Sequence, residues 1–249
     1  MKILVANPNT SSGITDRLVA AGRLVAGPGT ELLPMTASRG VPYIATRAEA
    51  AIGSAVFLEM LAERRGTFDA AICAAFGDPG LGGARELFDF PVVGMAEAAM
   101  LVACTLGRSF GIVSFSKSLE PWFAEIVAWH GLSGRCAAIR TLDEAFRSID
   151  EVQEEKEQVL VDLANRTVAN DQADVIILAG APLAGLADKI RKRVPVPLVD
   201  GIQAAVVLAE GLVRLKPRKA TTGTFRRPGP KDSKGLPTAL ADVIGHKDA

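Results

Sequence analysis

Four loops, each following a short apolar run, hold most of the residues with chemical potential in this 249-residue chain. The first, Asn7-Pro8-Asn9-Thr10-Ser11, offers amides and hydroxyls and leads into a helix whose start can hold an anion. The same residue types also build turns and helix caps. The second, Phe76-Gly77-Asp78-Pro79-Gly80, supplies a ring wall, backbone N–H groups and one carboxylate, Asp78, suited to capping a helix or to acting as a base. The third carries the hydroxyls of Ser114 and Ser116 beside Lys117, a cation able to meet a carboxylate. The fourth runs from Gly180 to Gly185. Tyr43, the only tyrosine, follows Gly40-Val41-Pro42 in a loop that can fold over such a site and move a proton. Glu97 and Asp200 fall in helix-start turns, where capping is their expected role.

Several chemistries are excluded by spacing. Cys73, Cys104 and Cys136 form no CxxC pair, which predicts free thiols in a reducing compartment. His130 and His246 have no HxH or HxxxH partner, so no metal site is expected. Neither GxGxxG nor GxxxxGK[ST] occurs, so no nucleotide cofactor is expected. The serines lack a GxSxG context with a histidine to activate them. Lys+Arg and Asp+Glu are both 28, giving zero net charge and no basic excess for nucleic acid. No apolar stretch approaches the roughly 18 residues that cross a bilayer, and the Ile3–Ala6 run is too short for a signal peptide. A soluble, cytoplasmic homo-oligomer acting on a small molecule is the expectation.

The elements that must position these loops follow from composition and periodicity. Hydrophobic residues make up 49% of the chain and aromatics 5%, so the core is built from small aliphatic side chains. Buried strands are predicted over 3–6, 30–34, 68–75, 91–94, 110–115, 173–178 and 196–199. Helices are predicted over 13–26, 47–64, 96–106, 119–130, 142–170 with one break, 186–193 and 202–214, with a short one ending at Phe88. This alternation implies parallel sheets flanked by helices. The segment 68–75 aligns with 173–180 at an offset of 105, and Pro91-Val92-Val93 with Pro197-Leu198-Val199 at 106. Ile3–Ala6 aligns with Gly111–Ser114 at 108. Nearly equal offsets in the same order predict an α/β fold of two pseudo-symmetric halves: residues 1–96 with 206–249, and 97–205. The active site is expected in the cleft between them, outside the carboxyl ends of the strands. The basic stretch 216–234 reads as a partly ordered surface extension.

The strings Asn7-Pro8-Asn9-Thr10-Ser11, Phe76-Gly77-Asp78-Pro79-Gly80-Leu81 and Ala181-Pro182-Leu183-Ala184-Gly185-Leu186 resemble the aspartate/glutamate racemase superfamily, in its hydantoin and allantoin racemase branch. The resemblance covers nearly the whole chain. It implies two pseudo-symmetric halves, no cofactor, and a cyclic ureide or small carboxylate as substrate. It also implies one cysteine on each half, flanking the substrate carbon to remove and return its proton. Those two positions are Ala75 and Gly180 here, so both thiols are absent. Substrate contacts fall by the same resemblance on Asn7, Asn9, Thr10, Ser11, Phe76, Gly77, Ala181, Pro182 and Asp200. Ser114, Ser116, Asp78 and Tyr43 remain as candidates for the chemistry.

Losing both partners in acid–base catalysis removes an effect of about 10²–10⁴-fold. The favoured reading is therefore a cofactor-independent enzyme acting on a hydantoin-like or thiohydantoin ring, or a small carboxylate, by hydrolysis or desulfuration. Oxyanion donors after Ala75 and Gly180 would serve it. Two alternatives stand: a hydantoin, allantoin or amino-acid racemase, with Ala75 an engineered replacement of cysteine, and a non-catalytic ligand-binding relative. Cys73, two residues before Ala75, is expected on the same strand face but deeper, as a buried small hydrophobe.

Overall fold

The computed structural model describes residues 1–247 apart from positions 144, 146 and 150. The first sheet comprises β1 (Lys2–Asn7), β2 (Glu31–Thr36), β3 (Ala70–Cys73) and β4 (Val92–Gly94). The second comprises β5 (Phe110–Ser114), β6 (Cys136–Thr141), β7 (Val175–Leu178) and β8 (Leu198–Asp200). All pairings are parallel, and the strand orders β2-β1-β3-β4 and β6-β5-β7-β8 are the same order repeated. The order reverses between β1 and β3, and again between β5 and β7. Such switch points open a crevice at the strand ends, because the two flanking connections leave in opposite directions.

The helices are α1 (Ser12–Arg23), α2 (Arg47–Arg64), α3 (Leu81–Leu87), α4 (Met95–Leu106), α5 (Glu120–Trp129), α6 (Val152–Asp171), α7 (Leu186–Ile190), α8 (Gly201–Leu215) and α9 (Thr238–Ile244). Their starts are set by local chemistry. Ser11 accepts the Ile14 N–H at the head of α1. Thr46 and Glu49 close a capping box on α2. Pro121 occupies the first turn of α5, where a missing N–H costs nothing.

One expectation is corrected. The predicted helix over 142–170 begins only at Val152. Before it, Cys136–Thr141 forms the edge strand β6, whose half-exposed CAAIRT sequence lacks the buried run that marks a central strand. The end of the chain forms α9, which packs on α2. Residues 216–234 have no helix or strand and are largely exposed, as expected of the extension.

The main core runs from Ile3 and Val5 through Ala99, Ile112 and Ile177 to Ala205, so it spans both sheets. A second cluster joins the other face of the first sheet to α2 and α9 through Leu4, Phe57, Met60, Leu61, Leu240 and Val243. Among the described residues no helix is long and apolar enough to cross a membrane.

Candidate active site

A small cleft opens at the strand ends where the two switch points meet. The first half contributes Asn9 and Ile14 from the β1–α1 junction, Tyr43 and Ile44 from the arm before α2, and Ala75 and Phe76 after β3. The second half contributes Leu119, Trp122 and Phe123 around the start of α5, and Gly180, Ala181 and Pro182 after β7. The wall is mostly apolar and carries no charged side chain. Phe76 and Phe123 meet edge to face across it, with ring centroids 4.9 Å apart.

Polar residues of the first loop are largely spent on building it. The Asn7 side chain, fully buried, donates to Asn9 Oδ1 at 2.9 Å, to the Ser11 carbonyl at 3.2 Å and to Thr15 Oγ1 at 3.0 Å. Its own Oδ1 accepts the Asn9 N–H. Asn9 Oδ1 also accepts the Ser11 N–H at 2.9 Å, which fixes the amide and leaves Nδ2 as the donor at the wall. The Thr10 N–H donates to the Val41 carbonyl at 2.9 Å and so anchors the arm that carries Tyr43. Asn7, Thr10 and Ser11 thus support the cleft from behind rather than line it.

The Tyr43 hydroxyl is buried and has no hydrogen-bond partner among the described residues. Its ring packs on Phe115 at 5.8 Å. Burial, reinforced by the Glu49 carboxylate, raises the phenol's pKa well above its ordinary value, so the group stays a neutral donor. The backbone N–H groups of Phe76, Gly180 and Ala181 likewise have no acceptor among the described residues. A buried donor without an acceptor is costly.

The two positions after β3 and β7 differ. Ala75 has an ordinary place in the wall. Gly180 has φ +112°, and a Cβ there would lie 2.8 Å from Phe115 Cε1. Any side chain at 180 is strained and meets the Phe115 ring. Gly77 is equally constrained, since its missing Cβ would fall 2.3 Å from the Trp122 indole.

Asp78 stands outside the cleft wall. Its Oδ1 accepts the Ala96 N–H at 2.9 Å and its Oδ2 the Glu97 N–H at 2.8 Å, so it caps α4. The helix that follows Asp78 in sequence, α3, starts at Gly80 with no side-chain cap. Burial raises the Asp78 pKa, opposed by its contacts with His130, Ala96 and Glu97. Asp200 caps α8 through Ile202 and Gln203 and accepts the Gly185 N–H at 2.6 Å. Burial raises its pKa too, against those same N–H groups. Both of its oxygens are occupied, and it does not reach the cleft.

Ser114 is buried and donates to the Ala179 carbonyl at 2.8 Å, tying β5 to the loop after β7. Ser116 pairs with Ser118 at 3.0 Å, away from the wall. Lys117 is turned outward to Asp143.

Cys73 faces away from the cleft. Regular alternation stops where β3 ends, so Ala75 turns into the loop while Cys73 packs against the α2 side, its thiol donating to the Pro79 carbonyl at 3.4 Å. Burial, then the Asp78 charge, raises its pKa well above the ordinary thiol value. None of the three cysteines lines the cleft.

Sequence reasoning missed Ile14, Ile44, Leu119, Trp122 and Phe123 as wall residues, because apolar spacing marks them only as core. Among the described residues no cluster of three or more His, Cys, Asp or Glu side chains is arranged to hold a metal ion.

Two repeated parallel sheets meeting at paired switch points, with a small apolar cleft between them, define a pseudo-symmetric α/β class of protein. Within that class the chain belongs to the Asp/Glu/hydantoin racemase family, whose model matches residues 3–209. It is similar to a hydantoin racemase of Paenarthrobacter aurescens, at 33% identity over 93% of this chain and 99% of that protein. Among solved structures it is similar to allantoin racemase from Pseudomonas fluorescens, with 34% identity, a TM-score of 0.88, and 94% and 100% of the two chains covered. Allantoin racemase from Klebsiella pneumoniae gives 33% identity and a TM-score of 0.91, covering 96% and 98%.

Proposed function

We propose that the cleft binds a cyclic ureide of the hydantoin class, and that the chain is an isomerase-type enzyme acting at the ring carbon beside a carbonyl. The relatives named as hydantoin and allantoin racemases support this alternative better than hydrolysis or desulfuration, the reading favoured from sequence. The uncharged wall suits a neutral ring better than a carboxylate, which would leave an unpaired charge in an apolar site. That argues against the small-carboxylate substrate.

The observation that carries the mechanism is the Tyr43 hydroxyl, buried at the wall with no partner among the described residues. When the ring C–H bond breaks, its electron pair moves onto the adjacent carbonyl as an enolate. Tyr43 O–H, Asn9 Nδ2–H and the N–H groups after Ala75 and Gly180 are the donors available to that oxygen. Water takes the proton and returns one to either face of the planar carbon, because the wall holds no thiol. One such donor is worth about 10²–10³-fold. Without positioned acid and base groups, turnover is slower than a thiol pair allows by about 10²–10⁴-fold.

The test follows exchange of the C5 proton of an L-5-substituted hydantoin by proton NMR in deuterated water, with polarimetry alongside. The expected result is exchange at the rate of loss of rotation, reduced about 100-fold in Tyr43→Phe. Ring-opened product or sulfide released from a 2-thiohydantoin, with rotation retained, would instead establish the hydrolytic reading. Calorimetric binding with neither reaction would establish a binding protein.

A further inference from the structure

Trp122 belongs to the walls of two cavities. One is the cleft, whose free space is about 20 Å³, enough for about one water. The other is an outer recess of about 370 Å³ between α2, the 77–82 loop and α5. Among the described residues no other side chain lines both. The Trp122 indole is therefore the partition between them, and only 6% of the residue is exposed. It stands there because residue 77 has no side chain. A Cβ at Gly77 would fall 2.3 Å from Trp122 Cζ2 and 2.5 Å from Cη2, at a φ of +129°.

A hydantoin ring is several times larger than one water, so the wall must yield to admit it. Packed interiors give little. Ile14, Phe76, Leu119 and Phe123 are backed by the main core. Asn9 is fixed by its hydrogen bonds with Asn7 and Ser11, and the Tyr43 arm by the bond from Thr10 to Val41. Gly180 is held under the Phe115 ring. Behind Trp122 lies the recess instead.

The recess suits an apolar group. Its α2 side is made by Ala50, Ala51 and Ser54, and its α5 side by Ile126 and Trp129. Two charged residues border it, and both are engaged elsewhere. Arg47 donates to Glu125 at 2.9 Å, and Asp78 accepts the first N–H groups of α4.

We infer that Trp122 is a specificity-determining residue: the cleft can enlarge toward the recess, so the bulk of residue 122 sets the largest 5-substituent that a bound hydantoin carries. The wild type then selects rings with short 5-substituents. A smaller residue at 122 joins the recess to the cleft and admits an aryl one. The substrate class rests on the proposed reading of the cleft, whereas the partition itself does not.

The test compares kcat/KM for 5-methylhydantoin and 5-benzylhydantoin. The wild type should favour the methyl compound by about 10-fold or more, since a misfit of one methylene in an apolar pocket already costs about that. Trp122→Ala should remove or reverse the preference, mainly by lowering KM for the benzyl compound, and Trp122→Phe should fall between. Trp129→Ala alters the recess but not the cleft, and should keep the wild-type ratio. A wild type that favours the benzyl compound overturns the assignment. So does a ratio unchanged in both Trp122 variants, or one that Trp129→Ala shifts as far as Trp122→Ala does.

A second readout needs no turnover. Toluene should leave the thermal midpoint of the wild type unchanged and raise that of Trp122→Ala by about 3 °C. Adding Ala75→Leu, a change in the cleft wall alone, should abolish the rise. A rise in the wild type, no rise in Trp122→Ala, or one that survives Ala75→Leu overturns the partition. Should Trp122→Ala fail to fold, Trp122→Leu takes its place in both measurements. If neither hydantoin is turned over, the proposed function fails while the toluene shifts still decide the partition.

Discussion

The two halves share a strand order and a parallel register, yet they solve the same two problems with different residues. The helix after the fourth strand needs an acceptor for its first N–H groups. In the first half Asp78 provides it from the loop after the third strand, capping α4 through Ala96 and Glu97. In the second half Asp200 provides it from the end of the fourth strand itself, capping α8 and reaching back to Gly185. The loop after the third strand also faces the cleft in both halves. It presents an ordinary alanine at 75 and a glycine of positive φ under the Phe115 ring at 180. The backbone frame thus repeats while side-chain duties migrate within it.

The sharpest way to break this comparison is to remove the two caps. Asp78→Ala leaves the Ala96 and Glu97 N–H groups without their acceptor and the His130–Glu97–Arg85 cluster without its second carboxylate, and is expected to cost about 3 kcal/mol in urea unfolding. Asp200→Ala, with no such cluster behind it, should cost about 1–2 kcal/mol. Equal costs would mean the two caps are interchangeable after all. The pH dependence has a definite sign. Burial raises the Asp200 pKa, so the native chain binds that proton more readily than the unfolded chain. Its contribution to stability is then greatest in acid and falls as pH rises through the raised pKa. Asp200→Ala should flatten that slope.

Next in size is the contrast between positions 75 and 180. Gly180→Cys places a Cβ against Phe115 in a strained backbone and should cost about 2 kcal/mol, whereas Ala75→Cys should stay within about 1 kcal/mol. Adding Phe115→Leu to Gly180→Cys should recover part of the loss. Tyr43→Phe removes a buried hydroxyl with no partner among the described residues and should raise the thermal stability of the ligand-free protein by about 1 kcal/mol, even as turnover falls. Cys73→Ala should leave turnover within about 2-fold, because the thiol faces α2. A loss above about 100-fold would instead make it a displaced base.

Much of the frame was legible in the sequence, and particular residues explain why. Helix α2 is legible over its observed range, 47–64, from its long periodicity, and the structure adds the capping box of Thr46 and Glu49 at its head. The duplication was visible because central parallel strands are continuous apolar runs that align with themselves. β6 escaped because an edge strand with one exposed face has a weak pattern, and α9 because seven residues hold barely two turns. The family strings marked the loops of the cleft but not who does what within them. Asn7 and Asp200 are polar for the sake of the loop and the helix. Five apolar wall residues carry no signal that separates wall from core. His130 had no partner by spacing, since both its carboxylates come from distant segments brought together only by the fold.

The docking of α9 on α2 bears on how the protein is made. Leu240 and Val243 complete the cluster around Phe57 and Met60, so the first sheet is covered by a helix about 170 residues further along the chain than α2. A chain emerging from the ribosome can assemble β5–β8, whose residues are close in sequence, while the α2 face of the first sheet is still open. Synthesis therefore passes through a stage with a bare apolar surface on the α2 face of the first sheet, the kind of intermediate that chaperones hold.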